Sequence, residues 1–289
     1  MKKTWRLCLS IVLGCLLAAQ LFSSCLDFRQ KKGRYLLKHT GDPTVISILT
    51  FNILSTVDLL AVSQGYPIWL QRRENVFAEI MQQNADIIAI EECSPSQFDQ
   101  FLDKFGDSYK FAHHREFTTD AFVMFRKDRF ELIEKGFWIL EEPVDVRIRR
   151  LAVWVKVREV NSKKEIMFVG THLDAKDIKE REIKFLKQNI FPQQESGAPL
   201  FMAGDFNITP DHDNYTMLVG GGWHDSYIAS AEGEQGTYTF VNPTRRIDHI
   251  FYFGSNVIPL SWKTLGSSSL VLSDHRPVLA TFHLGEGIE

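Results

Sequence analysis

Leu200–Pro210, LFMAGDFNITP, is the stretch on which the reading of the whole chain turns. Leu200, Phe201, Met202 and Ala203 form a short apolar run of the kind that makes a buried strand. Gly204 then frees the backbone for a sharp change of direction, and Asp205 and Asn207 follow two residues apart. In an extended segment, residues i and i+2 point to the same side, so a carboxylate and an amide would project together from the strand end. The same residues also suit an Asx-rich turn leading into a helix near Pro210, because Asp and Asn favour turns. The other apolar strands decide between these readings, because they too close on polar residues.

The chain has 289 residues, enough to bury one large core, and neither one domain nor two is favoured by length alone. A hydrophobic content of 44% with 24% charged residues is that of a globular protein. The N-terminus is different in kind. Lys2, Lys3 and Arg6 precede an apolar run from Leu7 to Phe22, followed by Ser23, Ser24 and Cys25. A basic head, an apolar stretch and small residues describe a secretory signal peptide over 1–24. Phe22-Ser23-Ser24-Cys25 resembles a bacterial lipobox, with Phe22 where Leu is usual, and that resemblance implies lipidation at Cys25. An uncleaved anchor is the alternative, but the run is interrupted by Ser10, Gly14 and Gln20 and falls short of the ~20 residues that span a bilayer.

With the signal removed and Cys25 lipidated, only Cys93 remains, in an apolar-strand context that suits a small core residue. Maturation would also take away three basic residues and no acidic one, moving the formal charge from −3 to −6. An acidic body is a poor match for polyphosphate duplexes, which are usually met by a basic face. Residues 25–43 carry Arg29, Lys31, Lys32, Arg34 and Lys38, and read as a polar tether able to lie on an anionic bilayer. The remainder, 44–285, is the folded domain, for which a monomer is expected.

Along that domain, Val45–Phe51 is strand-like and ends at Asn52. An unusually apolar loop follows over 53–66, with Leu54, Leu59, Leu60, Val62 and Tyr66, and Pro67 suits a helix start. Trp69, Val76, Phe77, Ile80 and Met81 keep helical spacing through Gln83. Asp86–Ile90 is a second buried strand that delivers Glu91, Glu92 and Cys93, and Ser94-Pro95 opens a helix to about Phe105. Ala121–Phe125 and Phe130–Leu140 read as strands around a charged turn, with Arg149, Arg150 and Trp154 on the next one. The strand Glu165–Gly170 ends in Thr171-His172-Leu173-Asp174, and a helix is expected from about Lys176 to Ile190. Gly220–Gly222 lacks the ending of a phosphate loop and reads as a turn. Gly236-Thr237-Tyr238 leads to Arg245-Arg246-Ile247-Asp248-His249-Ile250-Phe251, and Ser273-Asp274-His275-Arg276-Pro277 precedes the strand Val278–Phe282.

In this order the segments resemble the endonuclease/exonuclease/phosphatase superfamily of metal-dependent phosphoesterases, over about residues 44–284. The resemblance is carried by Thr50–Leu54, Trp69 with Arg72, Asp86–Glu92, Phe125–Phe130, Arg150 with Trp154, Thr171–Asp174, the opening stretch, Arg246–Phe251 and Ser273–Pro277. Four positions depart from the family's usual residues: Glu91 stands for Gln, Val153 for Thr, Gly170 for Asn and His249 for Tyr. Each polar residue has a plain structural alternative, a solvated charge for Glu92 or a hydrogen-bonded core histidine for His172. It is their succession at strand ends that favours chemistry.

The resemblance implies an α/β fold, a four-layer α/β sandwich of two packed mixed β-sheets flanked by helices. It assigns Glu92 to a metal, with Asn52 and Asp274 nearby. Hard oxygen ligands of this kind suit Mg²⁺, with Mn²⁺ as a second choice. It further assigns Asp205 and Asn207 to positioning the attacking water and the phosphoryl group, and His275 to the general base, oriented by Asp248. His172 falls to stabilising a phosphate oxygen or the leaving group, and Arg150 to binding substrate. The expected enzyme is a Mg²⁺-dependent phosphodiesterase or phosphatase anchored as a lipoprotein at the bacterial envelope. A small or lipid phosphoester is the favoured substrate, given the apolar 53–66 loop. The competing readings are an envelope-anchored nuclease acting on nucleic acid and a non-catalytic phosphate-binding surface protein on the same fold.

Overall fold

A computed structural model describes residues 41, 42, 44–56, 63, 65–114, 120–140, 150–175, 179–194, 197–227, 236–238, 245–266 and 271–285. The expected signal peptide, Cys25, nearly all of the tether, Arg149 and the Leu59–Val62 part of the apolar loop lie outside the described residues.

Two six-stranded sheets form the centre. The first has the order β11-β12-β1-β2-β4-β3, built from β1 (Val45–Asn52), β2 (Ile87–Glu91), β3 (Tyr109–Ala112), β4 (Ala121–Arg126), β11 (Val257–Thr264) and β12 (Val278–Leu284). The second has the order β5-β6-β7-β8-β10-β9, from β5 (Phe130–Ile139), β6 (Leu151–Glu159), β7 (Glu165–His172), β8 (Leu200–Asp205), β9 (Trp223–Asp225) and β10 (Asp248–Phe253). Each sheet has one parallel pair at its centre, β1 with β2 and β7 with β8, and antiparallel neighbours outside it. A parallel pair needs a crossover. Helix α1 (Trp69–Gln83) supplies it in the first sheet and α3 (Lys179–Gln194) in the second. Helices α2 (Pro95–Phe105) and α4 (Asp213–Val219) complete the outer layers.

Burial on both faces explains the near-continuous apolar strands. Ile46 and Ile48 of β1, with Ile87 and Ala89 of β2, pack between the sheets against Val153, Phe168, Phe201, Ala203 and Ile250. The alternate residues Leu49, Phe51, Ile88 and Ile90 face outward onto Val76, Phe77, Ile80, Phe101 and Phe105 of α1 and α2. On the far side, Met167, Val169 and Met202 meet Ile183, Leu186, Ile190 and Leu218 of α3 and α4. Helix, sheet, sheet, helix is the expected four-layer sandwich.

The period of two then places the site. Counting on from the inward residues of β1, β2, β7 and β8 gives Asn52, Glu91, His172 and Asp205, and counting back from Ile250 on β10 gives Asp248. All five fall on the inter-sheet side at one rim, where the gap between the sheets opens.

Two local expectations change. Gly204 makes no sharp turn, because it pairs within β8 to Thr171 and His249. Its φ is +152°, and a Cβ there would lie 1.8 Å from the Thr171 carbonyl oxygen, so glycine is required by the close approach of β7. The chain turns at Asn207 instead, whose φ is 51°. The third helix runs past Ile190, through Pro192 to Gln194, and its expected start near Lys176 lies outside the described residues, which resume at Lys179.

Candidate active site

Asn52 sits where the two sheets meet. Its amide nitrogen donates to Glu92 Oε1 and to Asp205 Oδ2, both at 3.1 Å, while its oxygen accepts from Leu54 N. Glu92 follows β2 with φ 55°, a left-handed kink that turns its carboxylate into the opening, and its N–H donates to the Asp120 carbonyl. Buried Arg72 of α1 donates to the carbonyls of Ile53, Leu54 and Leu272, tying the loop after β1 to the segment that carries Ser273, Asp274 and His275.

The strand-end reading and the Asx-turn reading of Asp205 and Asn207 hold together. Asp205 Oδ1 accepts from the Asn207 N–H at 2.9 Å, an Asx turn. Its other oxygen faces Asn52, the Nε2 of His172 at 3.5 Å and the Nε2 of His275 at 3.7 Å. Burial would raise the Asp205 pKa, but both imidazoles, the Asn207 N–H and Asn52 outweigh it and keep the group a carboxylate.

His275 Nδ1 lies 2.9 Å from Asp248 Oδ2 and 3.1 Å from Oδ1. With Nδ1–H donated there, the Nε2 lone pair faces the opening. Burial would depress this imidazole, but the carboxylates of Asp248 and Asp205 hold its pKa well above the ordinary histidine value. Ser273 Oγ donates to the Asn52 carbonyl at 2.7 Å, so the strand end of one element fixes the segment leading to Asp274 and His275. Asp274 is pushed up to about 6, by burial first and then by the facing Glu92 carboxylate, against a lowering contribution from His275.

Across the opening, Arg150 donates to both oxygens of Asp120 at 2.8 and 2.9 Å and lies 2.8 Å from His172 Nδ1. Asn207 Nδ2 is 3.3 Å from His172 Nε2. Burial and Arg150 both lower the His172 pKa, yet Asp120 and Asp205 carry it above the ordinary value.

Glu91, the family's Gln position, is fully buried. Thr50 Oγ1 donates to its Oε1 at 2.9 Å, and Oε2 has no hydrogen-bond partner among the described residues. Burial, then the Asp248 carboxylate, pushes its pKa far up. A neutral acid, close in shape to an amide, therefore stands where Gln is usual. Gly170, the position of the family's Asn, faces Val123 and Ala89, and a Cβ there would be 2.7 Å from Val123 Cγ2.

These side chains enclose a cleft of about 360 Å³, lined by Glu92, Arg150, His172, Asp205, Asn207, Asp274 and His275 together with Lys179, Tyr238 and Arg245. Asp120, Lys179, Tyr238 and Arg245 are additions to the residues read from sequence. For Asp120 a signal existed: it immediately precedes the apolar strand Ala121–Arg126, which runs antiparallel to β2 and so begins at the rim where β2 ends. Two sets could hold a cation. Asp205, Asp248 and His275 place one ligand atom each within 4.8 Å of one another. Glu92 and Asp274 form an oxygen-only pair whose mutual repulsion a cation would relieve.

A sequence model of the endonuclease/exonuclease/phosphatase family matches residues 49–275. The chain belongs to that family. The family is one of divalent-metal-dependent phosphoester hydrolases. Among its relatives, carbon catabolite repressor protein 4 homolog 3 of Arabidopsis thaliana is 26% identical over 168 residues, 55% of this chain and 37% of that protein. Homolog 1 of the same plant is 27% identical over 229 residues, and the chain again spans 37% of its length. An endonuclease/exonuclease/phosphatase from Bacteroides vulgatus has a similar structure, with a TM-score of 0.72, 23% identity and coverage of 83% of this chain and 99% of that one. A Bacteroides thetaiotaomicron mannosyl-6-phosphatase superposes with a TM-score of 0.70 at 20% identity, covering 82% and 99%. At these identities the likeness is one of fold.

Proposed function

We propose that the chain hydrolyses phosphoester bonds, with Mg²⁺ held by Glu92 and Asp274 beside Asn52 and with His275 as the general base. The observation that carries this reading is the His275–Asp248 contact of 2.9 Å, with Nε2 turned into the cleft shared by Glu92 and Asp274. Because Nδ1 is occupied by Asp248, that pair suits proton transfer better than metal binding. The all-oxygen pair Glu92 and Asp274 matches the hard-ligand preference of Mg²⁺, and Mn²⁺ is a second ion such ligands accept. A bound divalent ion supplies positive charge to the phosphoryl oxygens.

The chain's own groups then divide the work. His275 Nε2 takes a proton from water as the water oxygen bonds to phosphorus and the ester P–O bond breaks. Asp248 holds the tautomer and stabilises the imidazolium. Asp205 accepts a hydrogen bond from the water, and Asn207 Nδ2 donates to a phosphoryl oxygen. His172, charged in the field of Asp120 and Asp205, donates to a phosphoryl oxygen or to the leaving group. Arg150 fixes His172 through Asp120 and adds positive charge to the cleft wall.

A cleft of about 360 Å³ in an acidic chain favours a small phosphoester over duplex DNA. Hydrolysis of bis-p-nitrophenyl phosphate and p-nitrophenyl phosphate, with Mg²⁺ and with EDTA, tests the reading. Metal-dependent turnover of either supports it, and their ratio separates diesterase from monoesterase. No turnover of either would leave a binding protein, and efficient nicking of plasmid at physiological salt would favour a nuclease.

We also propose an envelope location, which rests on the Lys2–Cys25 sequence alone. Among the described residues no helix is long and apolar enough to cross a membrane. Radiolabelled palmitate should enter the wild-type protein and not Cys25→Ala. Absence of label in the wild type removes the anchor.

A further inference from the structure

Two cations in the cleft have no part in the chemistry above. Lys179 is the first described residue of α3, and its ammonium donates one hydrogen bond to the Asn207 carbonyl at 3.1 Å. Among the described residues it has no other hydrogen-bond partner, so two of its three donors remain for a ligand. Arg245 lies at the exposed rim, with its guanidinium 5.8 Å from the centre of the Tyr238 ring. No described carboxylate forms an ion pair with it, and Asp211 feels its charge from farther away. Tyr238 in turn packs its ring 4.9 Å from that of His275 and bridges to it through the backbone. Arg245 is therefore held against the wall beside the base, and Lys179 stands against the loop that carries Asn207.

The remaining charges of the cleft are committed. Arg150 is spent on Asp120 and His172, and the three carboxylates of Glu92, Asp205 and Asp274 face the cation and the histidines. The reacting phosphoryl group is met by Asn207, His172 and the metal pair, and the same cleft, about 360 Å³ in all, extends past them to Lys179 and Arg245, a volume suited to a small molecule. Two cations lining one cleft that react with nothing and pair with no described carboxylate are what a second anionic group on the substrate would meet.

We propose that Lys179 and Arg245 form a second anion subsite, and that the substrate is a small phosphoester carrying a second phosphate. This rests on the phosphoester hydrolase reading and narrows it. The added phosphate docks on the Lys179 ammonium and the Arg245 fork, while the ester to be cleaved lies between His275 and His172. Charge-assisted hydrogen bonds of this kind are worth about tenfold or more in affinity each, and the preference weakens as salt rises.

The test compares kcat/KM for fructose bisphosphate with that for fructose monophosphate, in the wild type, Arg245→Gln and Lys179→Met. The wild type should prefer the bisphosphate by about tenfold or more, and each variant should bring that ratio toward one. A wild-type ratio near one, or a ratio unmoved by both variants, overturns the subsite. Stronger turnover of a short thymidine oligonucleotide than of the bisphosphate, lost with Arg245→Gln, overturns it in favour of a nucleic-acid strand. If the wild type turns over none of these, the hydrolase reading fails separately. Calorimetric titration of His275→Ala protein with the same two sugar phosphates then decides the subsite. Tighter bisphosphate binding that Arg245→Gln abolishes supports it, and equal binding of the two overturns it.

Discussion

Glu91→Gln should stabilise the protein and leave its activity nearly intact. The reasoning begins with the parity of β2, which turns Glu91 inward, toward Thr50 and the carboxylates of Asp205 and Asp248. Burial and those like charges favour the neutral acid, so the folded chain holds a proton on Glu91 well above the ~4.3 at which an unfolded glutamate releases it. For a carboxyl whose folded pKa is raised, folding is favoured most below the unfolded pKa and loses ground as pH rises. The loss has a fixed slope of about 1.4 kcal/mol per pH unit while Glu91 stays protonated in the fold and ionised in the unfolded chain.

Gln carries no such proton. The stability difference between Glu91→Gln and the wild type should therefore widen as pH rises above the unfolded pKa, at up to about 1.4 kcal/mol per pH unit. Urea unfolding followed by circular dichroism, with EDTA present so that metal binding does not contribute, measures it. Because the amide reproduces the shape of the neutral acid and can accept from Thr50, kcat/KM should stay within about threefold. A difference that does not widen with pH would show that Glu91 is ionised in the fold. A loss beyond tenfold in kcat/KM with the fold intact would show that its ionisation is used in the reaction.

The other predictions concern the reacting groups and the strand beneath them. Glu92→Gln should lose Mg²⁺-dependent turnover while keeping its circular dichroism, and an unchanged Mg²⁺ affinity by calorimetry would remove Glu92 from the metal. His275→Ala should cost on the order of 10²–10⁴ in kcat, the usual worth of a positioned base, and a loss under about tenfold in folded protein would remove it from that role. Since Asp248 holds the His275 pKa up and only the neutral ring can accept the proton, activity should fall as pH drops through that raised pKa. Asp248→Asn should move the acid limb of kcat/KM to lower pH and cost less than His275→Ala, whereas an unmoved limb would separate the pair. Gly204→Ala drives a Cβ to 1.8 Å from the Thr171 carbonyl and should cost at least about 2 kcal/mol in urea unfolding, and a variant as stable as the wild type would mean that β7 and β8 can part there.

The sequence displays the strand ends well because the central strands are buried on both faces. VISILTF, DIIAI, AFVMF and LFMA are apolar almost without break, so the polar residues that close them stand out. The edges are harder to see. β11 alternates burial and carries Pro259, so its pattern is that of a half-exposed edge rather than of a central strand. β9 has only three residues, too few for any period to show. Gly204 looked like a turn residue because a glycine before Asp and Asn fits a turn, and its real cause, the Thr171 carbonyl, is contributed by a strand distant in sequence. Lys179 and Arg245 are one lysine and one arginine among 33 cationic residues, and only the crossing of α3 and the β10 approach at one rim singles them out.

The same topology makes the site a product of sheet packing. Asn52 and Glu92 come from the parallel pair of the first sheet, His172 and Asp205 from the parallel pair of the second, and His275 leads into β12 while its partner Asp248 begins β10. Asp205 faces Asn52 and His275 across that divide and His172 within its own sheet. Neither sheet holds all of the proposed reacting groups, so the distances between them are set by Ile48, Ala89, Phe168 and Ala203 packed between the sheets. Close-packed interiors pass small shifts on rather than absorbing them. A substitution such as Ala203→Val would push the sheets apart just beneath Asp205 and Asn52, and its cost would appear in the chemistry at the rim as well as in the stability of the core.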